Sequence, residues 1–133
     1  MLFVVSNQPD VARGTQTEDA VREINRVLAT ELPLDAFYMC YHDDADRCEC
    51  RKPLPGLLEQ ARGEHDIDLR ASYMIGDRWR DIDAGAAAGC ATILIDRGYD
   101  ERRPNSRPQA VVRTIGDAAQ AIFLLEEKGS PKA

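Results

Sequence analysis

Four short apolar runs, each closing on a polar residue, alternate along this chain with segments of helical period. Leu2-Phe3-Val4-Val5 ends at Ser6-Asn7, and Ala36-Phe37-Tyr38-Met39-Cys40 opens into a cysteine-bearing loop. Ser72-Tyr73-Met74-Ile75 ends at Gly76-Asp77, and Ala91 to Ile95 ends at Asp96. Each has the length and composition of a buried strand. Ala110-Val111-Val112 is a shorter fifth candidate. Between the first two runs, Val21, Ile24, Val27 and Leu28 recur at the 3.6-residue period of an amphipathic helix. Thr17 is placed to cap it and Pro33 to stop it. Further helices are expected from about Pro55 to about Glu64 and from roughly Trp79 to Ala88, with Gly89 as the C-terminal cap. A last helix is expected from about Gly116 to Glu127, with Ile122, Phe123 and Leu125 in its apolar set. The tail from Lys128 is expected to be loose.

Strands alternating with helices predict an α/β fold, a three-layer, Rossmann-like parallel sheet with helices on both faces. In such sheets ligands bind beyond the carboxyl ends of the strands. Ser6-Asn7, the loop after the second strand and Asp77 are therefore expected to converge on one rim. With 133 residues, 1–133 reads as a single domain. A net charge of −6 argues against a nucleic-acid partner, which needs a basic face. No secretory signal or membrane-length apolar run stands in the chain, so a cytoplasmic location with no membrane partner is expected. In that compartment thiols stay reduced, and clustered cysteines more often bind metal than pair as disulfides.

The cysteines are clustered. Cys40-x-His42-x5-Cys48-x-Cys50 puts three thiolates and one imidazole in a short loop, at about 40–52, and matches a closed tetrahedral zinc site. With no open coordination position the ion is expected to be structural and to order the loop that leads into Arg51-Lys52-Pro53. Asp43, Asp44 and Asp46 are compatible with calcium, but thiolates are poor ligands for hard cations. Cys90 stands apart and reads as a small buried hydrophobe.

Gly76-Asp77-Arg78-Trp79-Arg80-Asp81 sets one carboxylate at a strand end and a second four residues on, one turn into a helix. That pair suits Mg²⁺ or, the reading spacing alone favours, an N-cap Asp with a solvated acidic helix start. Ser6-Asn7 is either an anion site or a polar turn. Arg51 and Lys52 are either phosphate contacts or solvated loop charge. Arg13-Gly14 is a phosphate contact or, the favoured reading, a turn. The basic stretch Arg97 to Arg107 reads as a solvated loop, and His65 as a surface cap.

Taken together, Val5-Ser6-Asn7-Gln8 with Ala12-Arg13-Gly14, the metal loop running into Cys50-Arg51-Lys52-Pro53, Pro55-Gly56, and Met74-Ile75-Gly76-Asp77 through Asp81 resemble the haloacid dehalogenase (HAD) superfamily of phosphatases. The resemblance is closest to the branch acting on histidinol phosphate and heptose 1,7-bisphosphate. The short His-x5-Cys spacing looks like the former, and Pro53 to Asp81 looks more like the latter. The resemblance implies a Mg²⁺-dependent phosphoaspartate mechanism on a small phosphorylated sugar. Ser6 would bind the transferring phosphoryl group with Asn7 assisting. Lys52 would neutralise charge, Asp77 would ligate Mg²⁺ and Asp81 would support the metal or its waters. Arg51 and Arg13 would contact substrate, and Cys40, His42, Cys48 and Cys50 would hold Zn²⁺.

The chain departs from the pattern in two places. Gln8-Pro9-Asp10-Val11 stands where the family more often has Gln-Ser-Gly-Ile. The family's first motif, an Asp-x-Asp on a central strand whose first Asp is the nucleophile, has no counterpart ahead of Ser6; Asp10 follows no such strand. The expectation is an amino-terminally truncated chain, inactive by itself, whose first and third runs pair directly, leave exposed edges, or recruit a strand from a partner chain, as in a homodimer. The alternative function is a non-catalytic, zinc-stabilised remnant that binds a phosphorylated ligand or a partner.

Overall fold

The computed structural model describes residues 1–129; residues 130–133, the end of the tail expected to be loose, lie outside the described residues. The chain forms two compact units, one from Met1 to Arg51 and one from Lys52 onward.

In the first unit, strand β1 (Phe3–Asn7) leads into a short helix α1 (Pro9–Ala12), a longer helix α2 (Glu18–Glu31) and strand β2 (Ala36–Cys40). β1 and β2 are parallel, Phe3 opposite Ala36 and Asn7 opposite Cys40. Parallel neighbours need a crossover, and α1 and α2 supply it. Thr17 caps α2 as its sequence predicts, its hydroxyl accepting from the Ala20 N–H at 3.1 Å. β1 does not stop before Ser6-Asn7. Both residues stay in the ladder, and the Gln8 N–H extends it by donating to the Cys40 carbonyl at 2.7 Å. The loop after β2 contains a 3₁₀ turn, Asp44–Asp46.

The second unit runs α3 (Gly56–His65), a 3₁₀ turn at Leu69–Ala71, β3 (Tyr73–Gly76), α4 (Trp79–Ala88), β4 (Ala91–Ile95), β5 (Ala110–Val112) and α5 (Ile115–Glu127). Its sheet is parallel in the order β3-β4-β5. β1 and β3 thus belong to different sheets. Pro55 is the N-cap of α3 rather than its first residue, and Gly89 ends α4 in the left-handed conformation, φ 92°. Met74, Ile82, Ala84, Ala91, Ile93 and Ile95 are buried where α4 packs on β3 and β4.

Two apolar stripes are narrower than their sequence predicts. In α2 only Val21 is buried, while Ile24 and Val27 are exposed. In α5 the buried residue is Ala118, and Phe123 is 64% exposed. Five residues separate them, about 140° around the helix, so a helix that lays Ala118 on the sheet turns Phe123 away. Cys90 is buried, as its sequence context predicts, and burial pushes its thiol up to about 11. Among the described residues no helix is long and apolar enough to cross a membrane.

Gly85 lets α4 approach the sheet: a Cβ there would lie 2.5 Å from Cβ of Met74 and 2.8 Å from Cγ2 of Thr92. Gly63, inside α3, faces open space. The same change should therefore have opposite signs at the two positions. In urea melts, Gly85→Ala is expected to destabilise by about 1–3 kcal/mol through overpacking. Gly63→Ala is expected to stabilise by roughly 0.5–1 kcal/mol through helix propensity.

Candidate functional site

In the first unit, β2 ends on Cys40, whose buried sulfur meets three ligands delivered by the following loop. Cys50 donates to Cys40 at 2.9 Å; Cys40 and Cys48 lie 3.6 Å apart; His42 Nδ1 is 3.4 Å from Cys40 and 3.3 Å from Cys50. The four ligand atoms all fall within 4.8 Å of one another, and among the described residues no other group of three or more such side chains does so. Ligands about 2.3 Å from a central ion sit roughly 3.8 Å apart at tetrahedral corners, so these four fit around one cation. Burial, with the neighbouring Cys40 and Cys48, pushes the Cys50 thiol up to about 12. Burial also raises the Cys48 thiol, yet the backbone N–H groups of Arg51 and Cys50, together with the Cys40 and Cys50 side chains, outweigh it and bring the thiol to about 7.

The loop's acids are already engaged. Asp43 accepts a bidentate pair from Arg13, Nε at 2.5 Å and Nη2 at 2.9 Å, and this guanidinium holds its carboxyl down to about 2. Asp43 also accepts from the Asp44 N–H, and Asp46 from the Asp43 N–H. Asp44 accepts from Arg51 Nε at 2.7 Å. These carboxylates brace the loop, which leaves them poorly placed for a calcium ion. Arg51 is largely buried, and its Nη1 is a buried donor with no partner among the described residues. Ser6, at the end of β1, accepts from Gln8 Nε2 at 2.9 Å; sequence reasoning gave Gln8 no such part.

In the second unit, Lys52 and Asp81 form a buried pair, Nζ donating to Oδ1 at 2.5 Å. Asp81 Oδ2 accepts from the Arg78 N–H at the start of α4, and Arg80 Nη1 donates to the Lys52 carbonyl. Gly76 makes room for this carboxylate, since a Cβ at residue 76 would meet Asp81 Oδ2 at 2.3 Å. Asp77 directly follows β3. Its Oδ2 accepts from Tyr99 Oη at 3.1 Å and lies 3.5 Å from Arg97 Nε, while its Oδ1 has no partner among the described residues. An open carboxylate oxygen beside solvent suits a hard divalent cation. Tyr99 was hidden from sequence reasoning in a loop with no periodicity, and Arg97 read there only as solvated loop charge. Glu101, in the same loop, accepts from the Trp79 N–H at 2.9 Å and pairs with Arg78, an acid at the positive end of α4.

A parallel α/β fold with an acid after a strand and a buried Lys–Asp pair beside it defines a HAD-like hydrolase. The HAD-hydrolase-like family model matches residues 49–118, and the chain belongs to that family. It is homologous to D-glycero-β-D-manno-heptose-1,7-bisphosphate 7-phosphatases. It is 40% identical to that of Yersinia pestis over 91% of this chain and 72% of the relative. It is 34% identical to that of Escherichia coli strain K12 over 91% and 71%. The crystal structure of D,D-heptose 1,7-bisphosphate phosphatase from B. bronchiseptica, complexed with magnesium and phosphate, superposes with a TM-score of 0.77 at 32% identity, over 94% of this chain and 74% of that one.

The Lys52–Asp81 pair generates a stability test. Removing one partner of a buried pair leaves the other charge uncompensated, so Lys52→Ala is expected to cost about 3–5 kcal/mol. The Lys52→Ala/Asp81→Ala double variant should cost less than the sum of the two singles. Additive losses in a urea-melt cycle would mean that the two side chains act independently.

Proposed function

We propose that this chain is the phosphate- and metal-binding framework of a magnesium-dependent phosphomonoesterase of the HAD type, acting on a small sugar phosphate such as heptose 1,7-bisphosphate. The observation that carries the reading is the buried Lys52–Asp81 pair beside Asp77, whose Oδ1 is open. Homology to heptose bisphosphate 7-phosphatases supports the substrate class.

Phosphoryl transfer is mainly a matter of positioning and of stabilising charge on the phosphoryl oxygens. Asp77 would hold Mg²⁺, and Asp81, fixed by Lys52 and the start of α4, would order the ion's water ligands. The ion, when bound, neutralises phosphoryl charge. The Lys52 ammonium supplies a second positive group. The Ser6 hydroxyl, oriented by Gln8, and the Asn7 amide are donors for phosphoryl oxygens. Arg51 would reach substrate only when its buried, unpartnered Nη1 is uncovered, and Arg13 only when its pair with Asp43 opens. Cys40, His42, Cys48 and Cys50 would hold a structural Zn²⁺, in keeping with a reducing cytoplasm.

The resemblance places the nucleophile in an Asp-x-Asp on a central strand, and none of β1 to β5 carries one. The 133 residues are expected to carry about one zinc each by metal analysis and to release no phosphate from heptose 1,7-bisphosphate. Fused behind a strand bearing Asp-x-Asp, the chain is expected to release phosphate with Mg²⁺ and to lose that activity in Asp77→Asn. A folded, zinc-loaded fusion that binds the sugar phosphate without turnover would contradict the phosphatase reading and favour a phospho-ligand binder. A fully folded, metal-free chain would contradict the zinc assignment.

A further inference from the structure

The loop between β4 and β5, residues 96–109, lines with the start of α4 an open cavity of about 490 Å³, all of it within the second unit. It lies at the carboxyl ends of β3 and β4, and its wall includes Asp77 and four arginines, Arg97, Arg102, Arg103 and Arg107. Three carboxylates face them: Asp77, Asp96 and Glu101. A surplus of guanidinium groups in one concavity is notable in a chain of net charge −6.

Each of the acids already accepts at least one hydrogen bond. Glu101 uses one oxygen on Arg78 and the other on the Trp79 N–H. Asp96 accepts from the Gly98 N–H at 2.9 Å, and Asp77 Oδ2 accepts from Tyr99. Asp83 pins the far end of the loop by accepting from the Asn105 and Ser106 N–H groups. Arg102 is held over the Trp79 ring, 4.0 Å from its centroid, and donates to Asn105 Oδ1. Arg103 and Arg107, by contrast, have no hydrogen bond or ion pair among the described residues, so two guanidinium forks line the cavity uncompensated.

From this arrangement we propose that the cavity is a binding subsite for a phosphate group, with Arg103 and Arg107 as its principal donors and Arg102 as a pre-positioned third. A planar guanidinium matches a phosphate bidentately, and the cavity is large enough for a phosphate-bearing small molecule. The loop read from sequence as solvated basic charge thereby acquires a ligand. The inference does not depend on turnover, on Mg²⁺ or on the nucleophile.

Trp79 is the chain's single tryptophan and lies in the cavity wall, so its fluorescence reports occupancy directly. The test titrates the full chain, in buffer without Mg²⁺, with inorganic phosphate, fructose 6-phosphate and fructose 1,6-bisphosphate. The expected result is a saturable change that weakens about tenfold or more in Arg103→Ser/Arg107→Ser, the size of one lost charge-assisted contact. Because neither arginine has a partner, that variant should keep the wild-type melting temperature. Should it fail to, each single variant is titrated, and a weakening in either supports the site. Tighter binding of the bisphosphate than of the monophosphate, with the gain lost in the variant, identifies a second phosphate of a substrate as the occupant. Equal binding of inorganic phosphate identifies a free-anion site. No saturable response to any probe, or affinities unchanged by the substitutions, would overturn the proposal. Zero turnover by the phosphatase fusion would leave this titration unaffected, so the two readings fail separately.

Discussion

Asp81 occupies the end of β3 because residue 76 has no side chain, and much of the second unit's chemistry follows from that vacancy. Its two oxygens tie together the Lys52 ammonium and the N–H of Arg78, the residue that caps α4, and its carboxylate fills the space a side chain at residue 76 would take. A buried carboxylate is costly unless it is paired and hydrogen-bonded, and here both conditions are met. The pair in turn fixes where Lys52 sits and where α4 begins, and so where Asp77 leaves the strand. A charge buried in this way adds little net stability compared with an apolar pair, and is better understood as the means of holding an ammonium group at a defined place.

The two units solve the ordering of loops by different means. In the first, the segment after β2 is held by a cluster of three cysteines and a histidine and by carboxylate–guanidinium pairs, Arg13–Asp43 and Arg51–Asp44. In the second, the long loop after β4 is latched by single acids onto α4: Glu101 at its first turn and Asp83 further along. Partly exposed ion pairs and carboxylate hydrogen bonds of this sort contribute little to global stability, but each removes freedom from an irregular segment.

Most of the fold was legible because its signals are local. Strand runs such as Ala91–Ile95, the Thr17 cap and the Gly89 terminator each depend on a few neighbouring residues, and all three stand where the pattern predicts them. The Cys40–Cys50 cluster was legible for the same reason, its ligands being close in sequence. What periodicity could not reveal was which apolar residues a helix actually buries. Ile24, Val27 and Phe123 satisfy an amphipathic pattern yet lie exposed, because tertiary packing selects a narrower stripe. The short helix Pro9–Ala12 falls below the length at which a period can be recognised. Tyr99 and Glu101 were illegible for a further reason: their partners, Asp77 and Trp79, lie some twenty residues away, and nothing in an irregular loop marks the contact.

Asp77 is the residue proposed to couple a divalent cation to phosphate. The most direct measurement is a ³¹P NMR titration of inorganic phosphate into the chain with and without Mg²⁺, in the wild type and in the near-isosteric Asp77→Asn. Mg²⁺ is expected to tighten phosphate binding in the wild type and to have no effect in the variant. Phosphate affinity indifferent to Mg²⁺ in the wild type, or a Mg²⁺ effect that survives in Asp77→Asn, would contradict it.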